Sequence, residues 1–276
     1  MKAWSGILRS GEGRVGGILL LIFALLALSA PLLFPGDPLA ITATPLLAPF
    51  TDSAHLLGAD RLGRDIAAEL AWGARTTLLV ALASALTSLL LGSVIGTLAG
   101  FLGGWVDDGL MRISDAFQTV PAFLLAMALI SVTGPSLPAI VLAIAAGAWP
   151  QPARIARAEI RSLRERDFVA AARVAGMHPL AIAFREILPN ALTPVISLAA
   201  IIAAAAVLIE AALSFLGFGD PNRPSWGGMV AEGRAMLRSA PSLSLIPGLA
   251  LVLIVLAIHL LGRGYAKALR VREPVA

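Results

Sequence analysis

Six apolar stretches dominate this sequence: Val15–Phe34, Thr77–Phe101, Val120–Val132, Leu137–Trp149, Ala191–Leu216 and Leu243–Leu261. Each is long enough, or nearly so, to cross the roughly 30 Å of hydrocarbon in a bilayer. A helix satisfies its own backbone hydrogen bonds, so lipid permits these stretches to cross as helices. The expected fold class is therefore all-α, a polytopic membrane protein with six transmembrane helices. The third and fourth stretches are short as bare apolar runs. The third is expected to borrow a turn from Ile113–Thr119, and Gly134-Pro135 marks a tight turn that pairs the two as a helical hairpin.

Composition agrees with lipid as the solvent. The chain is 58% hydrophobic and only 14% charged, whereas a soluble domain carries about 25% charged residues. With no cysteine there is no disulfide, thiolate metal site or cysteine nucleophile. His55, His178 and His259 lie far apart, without the spacing of zinc ligands, so no metal site is expected. The basic residues, nearly all Arg, are not clustered with aromatics. They read as topology signals, and no nucleic-acid partner is expected.

With the N-terminus inside and six crossings, fifteen basic residues fall on the inner side and six on the outer. The positive-inside rule then sets both termini in the cytoplasm. The segment Phe101–Thr119, with Asp107, Asp108 and Asp115 against Arg112, runs against this trend, although acids contribute little to the rule. The first stretch reads as a retained helix. Its apolar core exceeds the roughly 7–15 residues of a signal peptide, and cleavage after Ala30 would leave Leu28 where a small residue is wanted. The expected organisation is an inner N-terminal segment (1–14), a first helix (15–34), an outer loop (35–76) and a core (77–276) with an inner loop at about 151–190.

That inner loop is too polar for lipid and too regular for a linker. Ala158–Ala175 has strong helix formers and no internal Gly or Pro, and Gly176 stands where a helix-ending glycine belongs. A second short helix is expected over Pro179–Leu188, with Pro189 and Asn190 punctuating the entry to the fifth crossing. A helix–Gly–helix elbow of small residues flanked by Arg suits docking in a partner's groove. An amphipathic loop lying on the membrane surface fits the same residues.

The run DFVAAARVAGMHPLAIAFREILPN (Asp167–Asn190) resembles the cytoplasmic loop of ABC-importer permeases. That pattern is Glu-Ala-Ala, three residues, Gly, about nine residues, then Ile-x-Leu-Pro. Ala171, Ala172, Gly176, Leu188 and Pro189 match it. Ala170 stands in place of the Glu, so no salt bridge from that position is implied, and Glu186 stands in place of the Ile, with Ile187 beside it. Four further segments, His55–Leu82, Gly103–Leu129, Glu210–Leu237 and Pro247–Leu269, resemble the dipeptide, oligopeptide and nickel permeases of the C type, in the same order. The resemblance covers nearly the whole chain. It implies a type I ABC importer permease fold in a bacterial inner membrane, with a homologous second permease, two ATPase subunits and an extracytoplasmic substrate-binding protein as partners. ATP and Mg would bind the ATPase subunits and no cofactor this chain. A coupling helix at Asp167–Met177, with Asp167, Ala170, Ala171, Ala172, Arg173, Gly176 and Met177, would seat in an ATPase groove, backed by Leu188 and Pro189. Peptides are the favoured substrate, with nickel or another small solute as the alternative.

Glu210 is the ionisable residue well inside a crossing, near its outer end. It reads either as a bonded structural carboxylate or as part of the pathway or gate. Asp60, Arg61, Arg64, Asp220, Arg223 and Trp226 lie in the outer loops, as contacts for a binding protein or as local ion pairs and an interfacial anchor. The glycines Gly92, Gly96, Gly100, Gly103 and Gly104 suit close helix packing. No phosphate-binding loop ending Gly-Lys-Ser/Thr is present, so any coupled ATP hydrolysis belongs to a partner. Ser214 and His259 fall at opposite membrane faces, which excludes them as a hydrolytic pair. A partner-independent secondary transporter remains the rival of a different class, although no internal repeat is visible.

Overall fold

The computed structural model describes residues 10–270; Lys2, Arg9 and Arg272 of the basic flanks lie outside them. Every regular element among the described residues is helical, and the β pairings there are two isolated bridges, Ile41↔Arg64 and Ala59↔Asp65. α1 (Gly11–Leu33) is capped by Ser10, whose Oγ accepts from the Gly13 N–H at 3.0 Å. α2 (Ile66–Leu102) is capped by Asp65, which accepts from the Ala67 N–H at 2.8 Å. α2 therefore takes in the last part of what the sequence suggests as outer loop, residues 66–76, and the loop is confined to residues 34–65.

At Gly103 and Gly104 the backbone takes positive φ, +67° and +53°, and turns into α3 (Gly104–Thr119). These two glycines therefore serve a turn, whereas Gly92, Gly96 and Gly100 serve packing. α3 is amphipathic, holds the turn expected from Ile113–Thr119, and adds to the third crossing only across a sharp bend. It meets α4 (Ala122–Thr133) at 88°, because Pro121 cannot continue the helix. α5 (Leu137–Ala148) leads into α6 (Pro150–Leu163) with a 47° bend. α7 (Asp167–Val174) follows after a turn at 164–166. The continuous helix expected over Ala158–Ala175 is thus broken there.

The segment after α7 also differs from expectation. A single helical turn, Pro179–Ala181, passes into a π-helical stretch, Ile182–Ile187, and then into α8 (Leu188–Ser197). Pro189 follows directly on the π-helical stretch within one unbroken helical run, Pro179–Ser197, and its missing N–H omits one bond to the turn before it. α9 (Ala199–Phe215) continues at 49°, followed by α10 (Trp226–Gly233) and α11 (Ser242–Arg270). α1, α2 and α11 are each long and apolar enough to cross a bilayer. Three bent pairs reach that length only together, so the described residues hold up to six crossings.

The outer core gathers around Trp226. Its ring is fully buried, meets Phe23 edge-on at 5.4 Å and donates from Nε1 to the Leu70 carbonyl at 2.9 Å. Trp226 is therefore a core anchor joining α1, α2 and α10, which corrects its reading as an outer contact or interfacial belt residue. A second cluster joins Val80, Ala126, Ile130, Ile144, Ala206 and Leu213. A third, at the other end, joins Ile160, Val169, Ile182, Ile187 and Ala191.

α2 and α6 meet backbone to backbone. A Cβ on Gly96 would stand 2.3 Å from the Ala153 carbonyl oxygen, and one on Gly100 would stand 2.7 Å from that of Arg157. The start of α1 and the end of α11 lie side by side, with Glu12 paired to Arg263 at 3.2 Å and to Lys267 at 2.9 Å. The two ends of the described chain thus share one face of the bundle.

Candidate functional site: the elbow at α6, α7 and α8

α7 is a short helix with one fully buried side chain. Val169 is fully buried among Ile160, Ile182 and Ile187, while Ala172, Met177 and Leu188 pack half-buried against the same cluster. The rest of the helix faces outward: Asp167, Phe168, Ala170, Ala171, Arg173 and Val174 are exposed, Val174 at 90%. Its end is a glycine-centred stop. The Met177 N–H reaches the Ala172 carbonyl at 3.1 Å, and the Gly176 N–H reaches that of Arg173 at 3.0 Å. Gly176 has φ +75°. This pair of bonds fixes the exit direction of the chain. Pro189 is exposed behind the elbow.

The structure divides the residues singled out in the sequence between α7 with its glycine stop and the start of α8, and the sequence reading misses which of them root the elbow. Val169 carries the burial, and Phe168 and Val174 carry the exposed apolar area. A spacing of one buried apolar residue between exposed ones is too sparse a signal for a periodicity argument.

Beneath the elbow, α3 supplies acids to the arginines of α6. Arg157 makes a two-armed bond to Asp107, with Nη2 to Oδ2 at 2.6 Å and Nε to Oδ1. Arg161 lies 3.6 Å from the same carboxylate, and Arg154 pairs with Asp115. Arg164 donates to the Gly100 carbonyl at 3.2 Å. Both helices are the polar members of their bent pairs and lie beyond the apolar runs of α4 and α5. The Arg157 guanidinium holds the Asp107 carboxyl below its ordinary range, against the opposing effect of burial. The acids that run against the inner-face charge trend are therefore the partners of the arginines that define it.

At the opposite end, Arg64 joins the outer loop to two helices. Its guanidinium lies 3.6 Å from Glu69 of α2 and 3.7 Å from Glu232 of α10. Asp60 is buried and accepts from the Leu62 and Arg64 N–H groups at 2.8 and 2.7 Å. Asp220 accepts from the Leu137 N–H at 3.1 Å and lies 3.8 Å from Arg223. Asp60, Arg64 and Asp220 thus hold the outer layer together, and of the outer candidates Arg61 and Arg223 are exposed. A cavity of about 220 Å³ opens here, lined in part by Glu69, Ser214, Asp220 and Glu232. Glu210 lies fully buried beneath it. Its Oε1 accepts from the Ser214 Oγ at 2.7 Å, one turn along α9, and no Arg reaches it.

Long apolar helices joined by an ordered layer at one end, with a polar elbow uncovered at the other, are the frame of a multi-pass membrane protein. Residues 92–272 match the family model described as the binding-protein-dependent transport system inner membrane component. A probable peptide ABC transporter permease of Sinorhizobium fredii is 42% identical over 251 residues, covering 91% of this chain and 85% of the relative. A di/tripeptide transport permease of Pseudomonas aeruginosa is 39% identical, covering 94% and 88%. A glutathione transport permease of Pectobacterium atrosepticum is 34% identical, covering 96% and 89%. A chain from the inward-facing MetNI methionine ABC transporter shares the fold, with a TM-score of 0.58 at 20% identity over 74% of this chain and 97% of that one. The protein belongs to the family of binding-protein-dependent transport system inner membrane components, and it is a multi-pass permease of the bacterial inner membrane.

Proposed function

We propose that this chain is one permease subunit of an ATP-driven importer of di- or oligopeptides. The observation that carries the proposal is the elbow: Val169 is the one fully buried residue of α7, Ala172 packs beside it, and Phe168, Arg173 and Val174 are left uncovered. A helix this short and this exposed gains little from its own fold and is suited to a groove on a partner. The partner would be an ATPase subunit that binds ATP and Mg, with a second permease completing the pathway and a binding protein delivering solute from outside. Closure of the ATPases would push α7, and the bent helix pairs would tilt between inward and outward openings. ATP binding would bias that equilibrium because the two states offer the partner different contacts. Arg61 and Arg223 are the outer residues available to a binding protein, and Glu210 supports the α9 exit through Ser214. The names of the relatives favour peptides over nickel.

The test is purification of the native complex through a tag on this chain, followed by uptake of labelled alanyl-alanine into proteoliposomes. Co-purified ATPase subunits and ATP-dependent uptake are expected. Arg173→Glu and Val174→Asp should each lower uptake at least about tenfold, as loss of an interface anchor does. Uptake by the chain alone, without ATP, would replace this reading with a secondary carrier built around Glu210. Retention of nickel by the co-purified binding protein would replace the substrate class only.

A further inference from the structure

α6 carries Arg154, Arg157, Arg161 and Arg164, spaced three, four and three residues apart, which aligns them in one stripe on one face of the helix. That stripe faces α3 and the inner end of α2, and each arginine has a partner there: Asp115, Asp107, Asp107 again, and the Gly100 carbonyl. Asp107 is the centre of the arrangement. It is buried, it takes both arms of Arg157, and Arg161 lies beside it. A two-armed guanidinium–carboxylate bond fixes orientation as well as distance. α6 is also gripped by α2, where Gly92, Gly96 and Gly100 bring the two backbones together. α7 begins just three residues beyond the end of α6.

We propose that α3, α6 and the inner end of α2 form one rigid body, and that Asp107 is the positioning residue that locks it. A push on α7 then turns α6 and its neighbours together and does not unwind the turn at 164–166. This rests on the reading of α7 as the ATPase contact.

The chain has no cysteine, so Arg112→Cys on α3 and Ser162→Cys on α6 give a unique pair of spin-label sites. Their separation would be measured by double electron–electron resonance in the full complex, nucleotide-free and trapped with ATP and vanadate, and in the subunit alone in nanodiscs. One narrow distance, unchanged between the two states, is expected. Asp107→Asn should broaden it. The same variant should lower the stimulation of ATP hydrolysis by binding protein loaded with alanyl-alanine about tenfold, a coupling of the size found for residues in one network. Unstimulated hydrolysis should stay within about twofold of the parent, which separates positioning from simple loss of fold. Asp107→Glu, which keeps a carboxylate before Arg157 and Arg161, should retain both the distance and the stimulation.

A distance that shifts between states in the parent chain overturns the rigid body. Asp107→Asn with parental distance and stimulation overturns the role of Asp107. If Asp107→Asn does not assemble, Asp107→Glu decides: assembly and stimulation in that variant support the lock, and their absence overturns it. A narrow distance in the isolated subunit, lost in Asp107→Asn, with no ATPase associating in any variant, would keep the lock and remove the coupling reading instead.

Discussion

Gly96 has no side chain because none fits. Its Cβ would fall 2.3 Å from a backbone oxygen of α6, and backbone does not yield as a flexible side chain does. Gly96→Val is expected to lower stability by about 3 kcal/mol or more, the upper range for overpacking a tight contact. It should lower the melting temperature of the purified subunit in detergent. Gly109→Ala on α3 meets nothing within 4 Å and should leave that temperature unchanged or slightly raised. Trp226 and Arg223 form a second contrast within one short segment. Trp226→Ala empties a fully buried site and removes the bond to Leu70, so about 3–5 kcal/mol is lost. Arg223→Ala removes an exposed partner of Asp220 and should leave the melting temperature nearly unchanged. If both variants melted alike, Trp226 would not be the anchor described.

Among the elements, α3 and α6 give a pH test whose sign is fixed by the lowered Asp107 pKa. A carboxylate with a folded-state pKa below its unfolded value contributes its stabilisation above the unfolded value. It loses that stabilisation as pH falls through the folded one. The α3–α6 distance should therefore hold from neutral pH down through the ordinary carboxylate value of 3.8 and open only below it. Separation between about pH 5 and 6 would assign the lock to a different group, because that is where histidine titrates and aspartate does not. The elements also mark where sequence reading stops. The long apolar crossings α1, α2 and α11 are legible because composition alone decides them. The break at 164–166 is not, because Arg, Glu and Arg are acceptable helix formers and the contacts made there, Val169 in its cluster and Arg164 on the Gly100 carbonyl, are distant in sequence. The π-helical stretch at Ile182–Ile187 is equally silent in sequence, since it differs from an α-helix by one residue per turn and not by composition.

For the whole molecule, hydropathy was enough to read where the apolar helices fall along the chain, three long enough to cross alone and three more as members of bent pairs, and the loop pattern was enough to read the family. The pairing of the ends was not legible. Glu12 meeting Arg263 and Lys267 joins residues about 250 positions apart, a separation that no local pattern reports. The outer layer was legible only in part. Asp60, Arg64 and Asp220 stand out as charges in loops, but their bonds turn inward to backbone N–H groups and to helix ends. Trp226 looked like a surface aromatic because turn residues flank it, while the space that receives it is made by Gly73, far away in α2.

Gly176 differs from Gly96 in what it requires. Nothing lies within 4 Å of where its Cβ would be, so size is not what excludes other residues there. Its φ of +75° is the constraint, and that is a matter of handedness. A mirror-image D-alanine would take this backbone shape at ease, whereas the natural L-alanine would strain it. The direction in which the elbow points is therefore set by chirality at a single position, independent of any contact that position makes.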